Sequence, residues 1–156
     1  MPVIENDMFS NLANKTKEYT FCDRPENRKA SQDLRYLASQ LNLTASESLG
    51  KIKFIAVGQD VGLFLPVPAQ MSDDMVTFPM SELDINNPLH NVAVVLYSGE
   101  NVADVLIFNS SNWLTKKGLF SPFKVLTKTG EYGVKIAKKE KLTEYKFGNV
   151  LKDYIK

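Results

Sequence analysis

Val92-Ala93-Val94-Val95-Leu96-Tyr97 is an unbroken apolar run, preceded by His90-Asn91 and followed by Ser98-Gly99-Glu100-Asn101. A half-buried strand alternates polar and apolar positions, so a short run that is apolar throughout, bounded by turn-forming residues, fits a strand covered on both faces. It is therefore expected to be a central strand. Gly99-Glu100-Asn101 is too short for a helical crossover, so residues 102–108 should return beside it as an antiparallel partner.

The same reading extends in both directions. From Ile52 to Ile136 the apolar pattern has a period near two, which predicts strands at 52–57, 61–67, 75–79, 92–98, 102–108, 122–128 and 131–137. Gly58-Gln59-Asp60 and Thr129-Gly130 serve as further tight turns, so the sheet should be mainly antiparallel. Pro66 and Pro79 lack the N–H that a ladder requires, which pushes their strands towards an edge.

Outside this region the period is helical. Met8, Phe9, Leu12 and Ala13 share one helix face, and Ala30, Leu34, Leu37, Ala38 and Leu41 repeat more strongly. Pro25 suits the first turn of the second helix and Asn42 a left-handed stop. Thr44-Ala45-Ser46-Glu47 has the form of a capping box and predicts a short third helix closed by Gly50. Phe147, Val150, Leu151, Tyr154 and Ile155 predict a last helix over 143–155, weakened by Gly148. With 156 residues, 44% hydrophobic, and no linker or repeat, the chain reads as one α+β domain spanning 1–156. Its mainly antiparallel sheet should have about six or seven strands, with the N-terminal helices and the C-terminal helix packed on one face. Leu34, Leu37, Val94, Leu96, Val105, Ile107, Val134 and Leu151 are expected to meet in one core.

Charge is unevenly spread. Residues 1–53 carry 8 basic and 7 acidic side chains, residues 54–115 none and 7, and residues 116–156 carry 11 and 4, so a net charge of +1 hides a negative middle and a positive tail. Cys22 is the only cysteine, no signal-like start is visible and no apolar run approaches the length of a bilayer span, so a cytoplasmic location without membrane contact is expected.

Few chemistries are open to these residues. His90 is the only histidine, which excludes histidine-pair and Cys/His zinc sites, and its place after Asn86-Asn87-Pro88-Leu89 reads as a solvated loop. Neither a phosphate-binding nor a dinucleotide-binding glycine pattern occurs, and no cofactor is called for. Asp104 interrupts an apolar strand, the position of an acid in metal-dependent nucleases of the PD-(D/E)xK type. The only Glu-x-Lys, Glu144-Tyr145-Lys146, is far along the chain and inside the predicted last helix, so Asp104 reads as a solvated or hydrogen-bonded strand residue. Residues 34–49 only partly resemble a helix-turn-helix, because Ser48 stands where an apolar residue is wanted.

Lysines interleaved with aromatic residues in the last third are the mixture that single-stranded nucleic acid uses for phosphate contact and base stacking. Lys116, Lys117, Lys124, Lys128 and Lys135, with Phe120 and Tyr132, form the expected nucleic-acid-binding set. The leading expectation is thus a non-enzymatic binding protein contacting a polyanion. The alternative is a protein-binding factor of inhibitor or immunity type, using the acidic middle and Trp113; a small hydrolase or nuclease built on Asp104 is third. Oligomeric state is not legible.

Overall fold

The computed structural model describes residues 21–48, 50–56, 58–115, 119–124 and 130–154. The predicted helix around Met8–Ala13 lies outside them, as do residues 125–128 of the predicted 122–128 strand. Among the described residues no helix is long and apolar enough to cross a membrane.

Among the described residues the first long element is helix α1 (Pro25–Gln40), which opens on Pro25 and buries Asn27, Ala30, Ser31, Leu34 and Ala38 along one face. Asn42 stops it with φ 62°. Leu43 N–H donates to Ala38 O at 3.0 Å and Asn42 N–H to Ser39 O at 3.3 Å, the paired bonds of a Schellman cap.

The next segment departs from the prediction. Thr44–Ser48 forms strand β1, antiparallel to β2 (Lys51–Ala56), rather than a third helix. One capped turn fixes several dihedrals for very few bonds, whereas pairing with β2 satisfies the backbone along a ladder. Gly50, at φ 80°, makes the reversal, and a Cβ there would come within 2.2 Å of the Cβ of Cys22. The supposed capping residue Glu47 instead reaches Arg35 at 3.9 Å and accepts from Ser31 Oγ at 3.5 Å.

Strand β3 (Gln59–Gln70) pairs antiparallel with β2 in its first half and parallel with β5 (His90–Ser98) in its second. Strand β6 (Asn101–Asn109) lies antiparallel on the other side of β5, giving the order β1-β2-β3-β5-β6. β5 is internal, as expected. Pro66 was expected at an edge, yet β3 is internal too. Leu63 and Met71 donate their N–H groups to carbonyls on the β5 side, at Leu89 and Tyr97. By alternation residues 66 and 68 face the other way, where β2 no longer pairs, so neither Pro66 nor Pro68 deletes a ladder bond.

The remaining strands form a second sheet, in the order β4 (Met75–Pro79), β8 (Gly130–Lys135), β7 (Phe120–Lys124). Pro79 is on an edge strand, as predicted. The strands thus divide between a mixed, mostly antiparallel sheet of five and a small sheet of three.

Two cores result where one was expected, because the five-stranded sheet buries both faces. Val94 and Leu96 join Leu65, Val67, Phe108 and the second sheet's Val76, Phe78, Phe120 and Val134 on one side. Val95 and Tyr97 join Phe54, Phe64, Val105 and Ile107 on the other, under Leu34 and Ala38 of α1 and beside Leu151; Leu37 is partly buried there. Adjacent residues on a strand point to opposite faces, so Leu34 and Leu96 cannot meet.

The predicted 143–155 helix is also replaced. A 3-10 segment, Lys139–Tyr145, ends at Lys146, whose φ of −63° and ψ of 142° are extended, before helix α3 (Phe147–Val150); helix α2 is the single turn Asn112–Thr115. Lys146 bridges Leu106 on the edge of β6 away from β5. Tyr145 then joins the core on one side of the sheet and Phe147 the core on the other. Leu96 is 1% exposed, and Leu96→Ala should lower the unfolding free energy by about 2–5 kcal/mol. Urea denaturation measures this, and a loss under about 1 kcal/mol would show that the strand is not packed on that face.

Candidate functional site

β3 and β5 run parallel and therefore end together, at Gln70 and Ser98. The first turns of α1 lie over these ends, and between them opens a cleft of about 350 Å³. Its floor is Pro68, Ala69 and the Tyr97 ring, and its rim carries Glu26, Asp73 and Glu100. Crevices beyond the carboxyl ends of parallel strands are where open sheets commonly hold ligands.

Helical spacing sets the polar groups. Lys29 and Asp33 are four residues apart on α1, and Lys29 Nζ donates to Asp33 Oδ2 at 2.9 Å. The same nitrogen donates to Glu100 O at 3.1 Å and lies 4.4 Å from the centroid of the Tyr97 ring. Tyr97 Oη donates to Asp33 Oδ2 at 2.6 Å. Burial raises the Asp33 carboxyl, but hydrogen bonds from Tyr97 and Lys29 and the Lys29 charge outweigh it and hold the group below its usual range. Burial, then the hydrogen bond and charge of Asp33, push the Tyr97 phenol up. Asp33 is thus anionic and Tyr97 a neutral donor at neutral pH. Gln70 closes one side, donating from Nε2 to Gly99 O and from its backbone N–H to Asp73 Oδ2. Sequence reasoning singled out none of Lys29, Asp33 and Tyr97. The available signals were the i, i+4 ion pair and a phenol at the end of the doubly buried run.

The expected nucleic-acid set is only partly in view. Lys116, Lys117 and Lys128 lie outside the described residues, and Lys124 closes β7 opposite Gly130. Lys135 is exposed on β8. Phe120 is 5% exposed, with its ring 4.9 Å from Trp113 and 5.5 Å from Phe108, so it faces the core. Tyr132 is half-buried 6.0 Å from Trp113. Trp113 itself turns inward, its Nε1 donating to Gly133 O at 2.9 Å.

Charge blocks that look separate in sequence meet in space. Lys53 pairs with Asp60 at 3.5 Å, Lys51 with Glu82 at 3.9 Å and Lys146 with Asp104 at 3.3 Å. The last pair corrects the view that Glu144-Tyr145-Lys146 stays away from Asp104, since the extended bridge at Lys146 brings it there. Asp104 Oδ1 accepts its neighbour's N–H, from Val105. Among the described residues no three His, Cys, Asp or Glu side chains gather as metal ligands.

His90 is not the solvated loop residue expected. It begins β5, points the same way as Val92, and is 6% exposed. Its Nδ1 accepts the Asp84 N–H at 2.9 Å, which leaves the proton on Nε2, and that buried nitrogen has no partner among the described residues. Around it Ser110 Oγ donates to Asn87 O and Asn109 Nδ2 to Pro88 O, pinning the preceding loop. Burial, then the Lys51 charge, lowers the His90 pKa against smaller opposing effects of Asp84 and Glu82. Cys22 donates to Glu82 Oε1 at 3.7 Å, and burial, followed by the Glu82 charge, pushes its thiol up to about 11, so it is not a thiolate at neutral pH.

No family model, curated protein or solved structure matches the chain.

The His90 environment predicts a pH dependence. Its native pKa is depressed, so the unfolded chain takes up the proton first; its contribution to stability is complete above the unfolded value, about 6.5, and is lost as pH falls towards the native one. Urea midpoints should therefore drop between pH 7.5 and 5.5 in the wild type and drop less in His90→Gln. Equal slopes in the two proteins would contradict this.

Proposed function

We propose that this protein is a non-enzymatic binding protein whose acidic middle segment, joined by Glu26 of α1, meets a basic stretch of a protein partner at the cleft. One observation carries the reading. Asp60, Glu82 and Asp104 each have a lysine, whereas Glu26, Asp73 and Glu100, which border the cleft, have no ion pair with another described residue. Unpaired carboxylates around a concave, partly apolar surface give steering and register to a cationic partner. The protonated thiol and the histidine fixed through Nδ1 support binding over catalysis.

A second reading keeps the polyanion. Lys135, Lys138, Lys141 and Lys152 are exposed and have no ion pair with another described residue. The stacking half of that reading has less support, because Phe120, Tyr145 and Phe147 are all buried.

Titration with a deca-arginine peptide and with a dodecathymidine oligonucleotide separates the two. The peptide should bind, more weakly as salt rises, and Glu26→Gln/Asp73→Asn/Glu100→Gln should weaken it at least tenfold. Peptide binding that ignores the triple substitution would refute the first reading. Oligonucleotide binding lost in Lys135→Ala/Lys138→Ala/Lys141→Ala would put the second in its place.

A further inference from the structure

The Lys29 ammonium occupies a cage. Its nitrogen meets a carboxylate oxygen of Asp33 at 2.9 Å, the carbonyl oxygen of Glu100 at 3.1 Å and the face of Tyr97 at 4.4 Å. An –NH₃⁺ group has three donors on a compact charge, and these three electron-rich surfaces match them one for one. The walls of the cage are fixed. Tyr97 is 5% exposed and tied to Asp33, while the Glu100 carbonyl belongs to the tight turn between β5 and β6. The occupant is not fixed, for its side chain is 47% exposed on a flexible four-carbon stem. Ion pairs of that exposure contribute little, so withdrawing Lys29 costs little. Beyond the cage the cleft continues over the apolar floor of Pro68 and Ala69 to the carboxylates of Glu26 and Asp73.

We infer that the cleft is a binding site for a primary ammonium group on an apolar stem, of the kind a partner's lysine side chain presents, and that Lys29 is an internal occupant which this cation displaces. The inference deepens the proposed function and rests on it for the source of the cation. The apolar floor takes the stem, the cage takes the charge, and the released Lys29 moves into solvent or towards Glu26 or Glu100. Self-occupancy lowers the apparent affinity by the fraction of molecules in which the cage is already filled. The affinity of the wild type is therefore set by competition with its own side chain.

The test uses n-butylammonium as the probe, titrated into isotope-labelled protein while the amide signals of Gln70, Tyr97, Gly99 and Glu100 are followed. Lys29→Ala and Lys29→Gln, which empty the cage of charge, should bind about two- to fivefold more tightly than the wild type. Lys29→Arg, which returns a cation, should bind no more tightly than the wild type. Equal affinities in the wild type and both neutral variants, or no shift at these four amides in either variant while its spectrum is that of a folded protein, would overturn the inference. Failure of the cage is distinguishable from failure of the proposed function. If n-butylammonium does not bind but deca-arginine still depends on Glu26, Asp73 and Glu100, the cage is wrong and the acidic-surface reading stands. If the probe binds and the peptide does not, the cage stands and its cation has another source.

Discussion

Val92 through Leu96 are each 0–1% exposed and Tyr97 5%, and every one of these side chains is apolar over most of its surface. Burying such a run on both faces requires a neighbour on each edge to satisfy its backbone and a layer above and below to cover its side chains. β3 and β6 supply the edges. The α1 helix with Phe147 and Leu151 covers one face, and the second sheet with Tyr145 covers the other. Several irregular features follow from the same requirement: the long β3 that changes partner midway, the single extended residue at Lys146, and the split of the strands into two sheets.

The parallel pairing of β3 with β5 has its own consequence. A parallel pair brings two carboxyl ends together, and here the two prolines of β3 sit where no further strand among the described residues pairs with it. That end of the sheet is closed instead by the start of α1, which lays Lys29 and Asp33 across Tyr97. The phenol is thus both the last buried residue of the organising strand and a wall of the cleft. Packing and the candidate site share one side chain.

Much of this was legible in the sequence. The doubly buried strand, the α1 periodicity, the Asn42 stop and the positions of most strands are local signals, and the structure has each of them. Where prediction failed, a tertiary partner outweighed a local signal. Thr44–Glu47 has the residues of a helix start but lies beside β2; 143–155 has a helical stripe, but Tyr145 and Phe147 are drawn to opposite faces of the sheet. His90 was misread from the turn-like residues before it, although it shares its parity with Val92 and Val94 and therefore faces a core. The cleft was not legible at all, because Glu26, Asp73 and Glu100 come from the first turn of α1 and from two separate reversals of the chain, and their meeting depends on the parallel pairing. No periodicity in the chain marks that pairing, since residues 71–89 contain no helix of the kind that usually joins parallel strands.

Native-state amide hydrogen exchange along β5 tests the organising role of this strand most directly. If the strand is clamped by both edges and both layers, the amides of Val92 to Leu96 open only when the whole molecule unfolds, with an exchange free energy equal to that from urea denaturation, while the edge strand β1 opens locally at lower cost. Exchange of the Val92–Leu96 amides through local openings as easy as those of Thr44–Ser48 would contradict it.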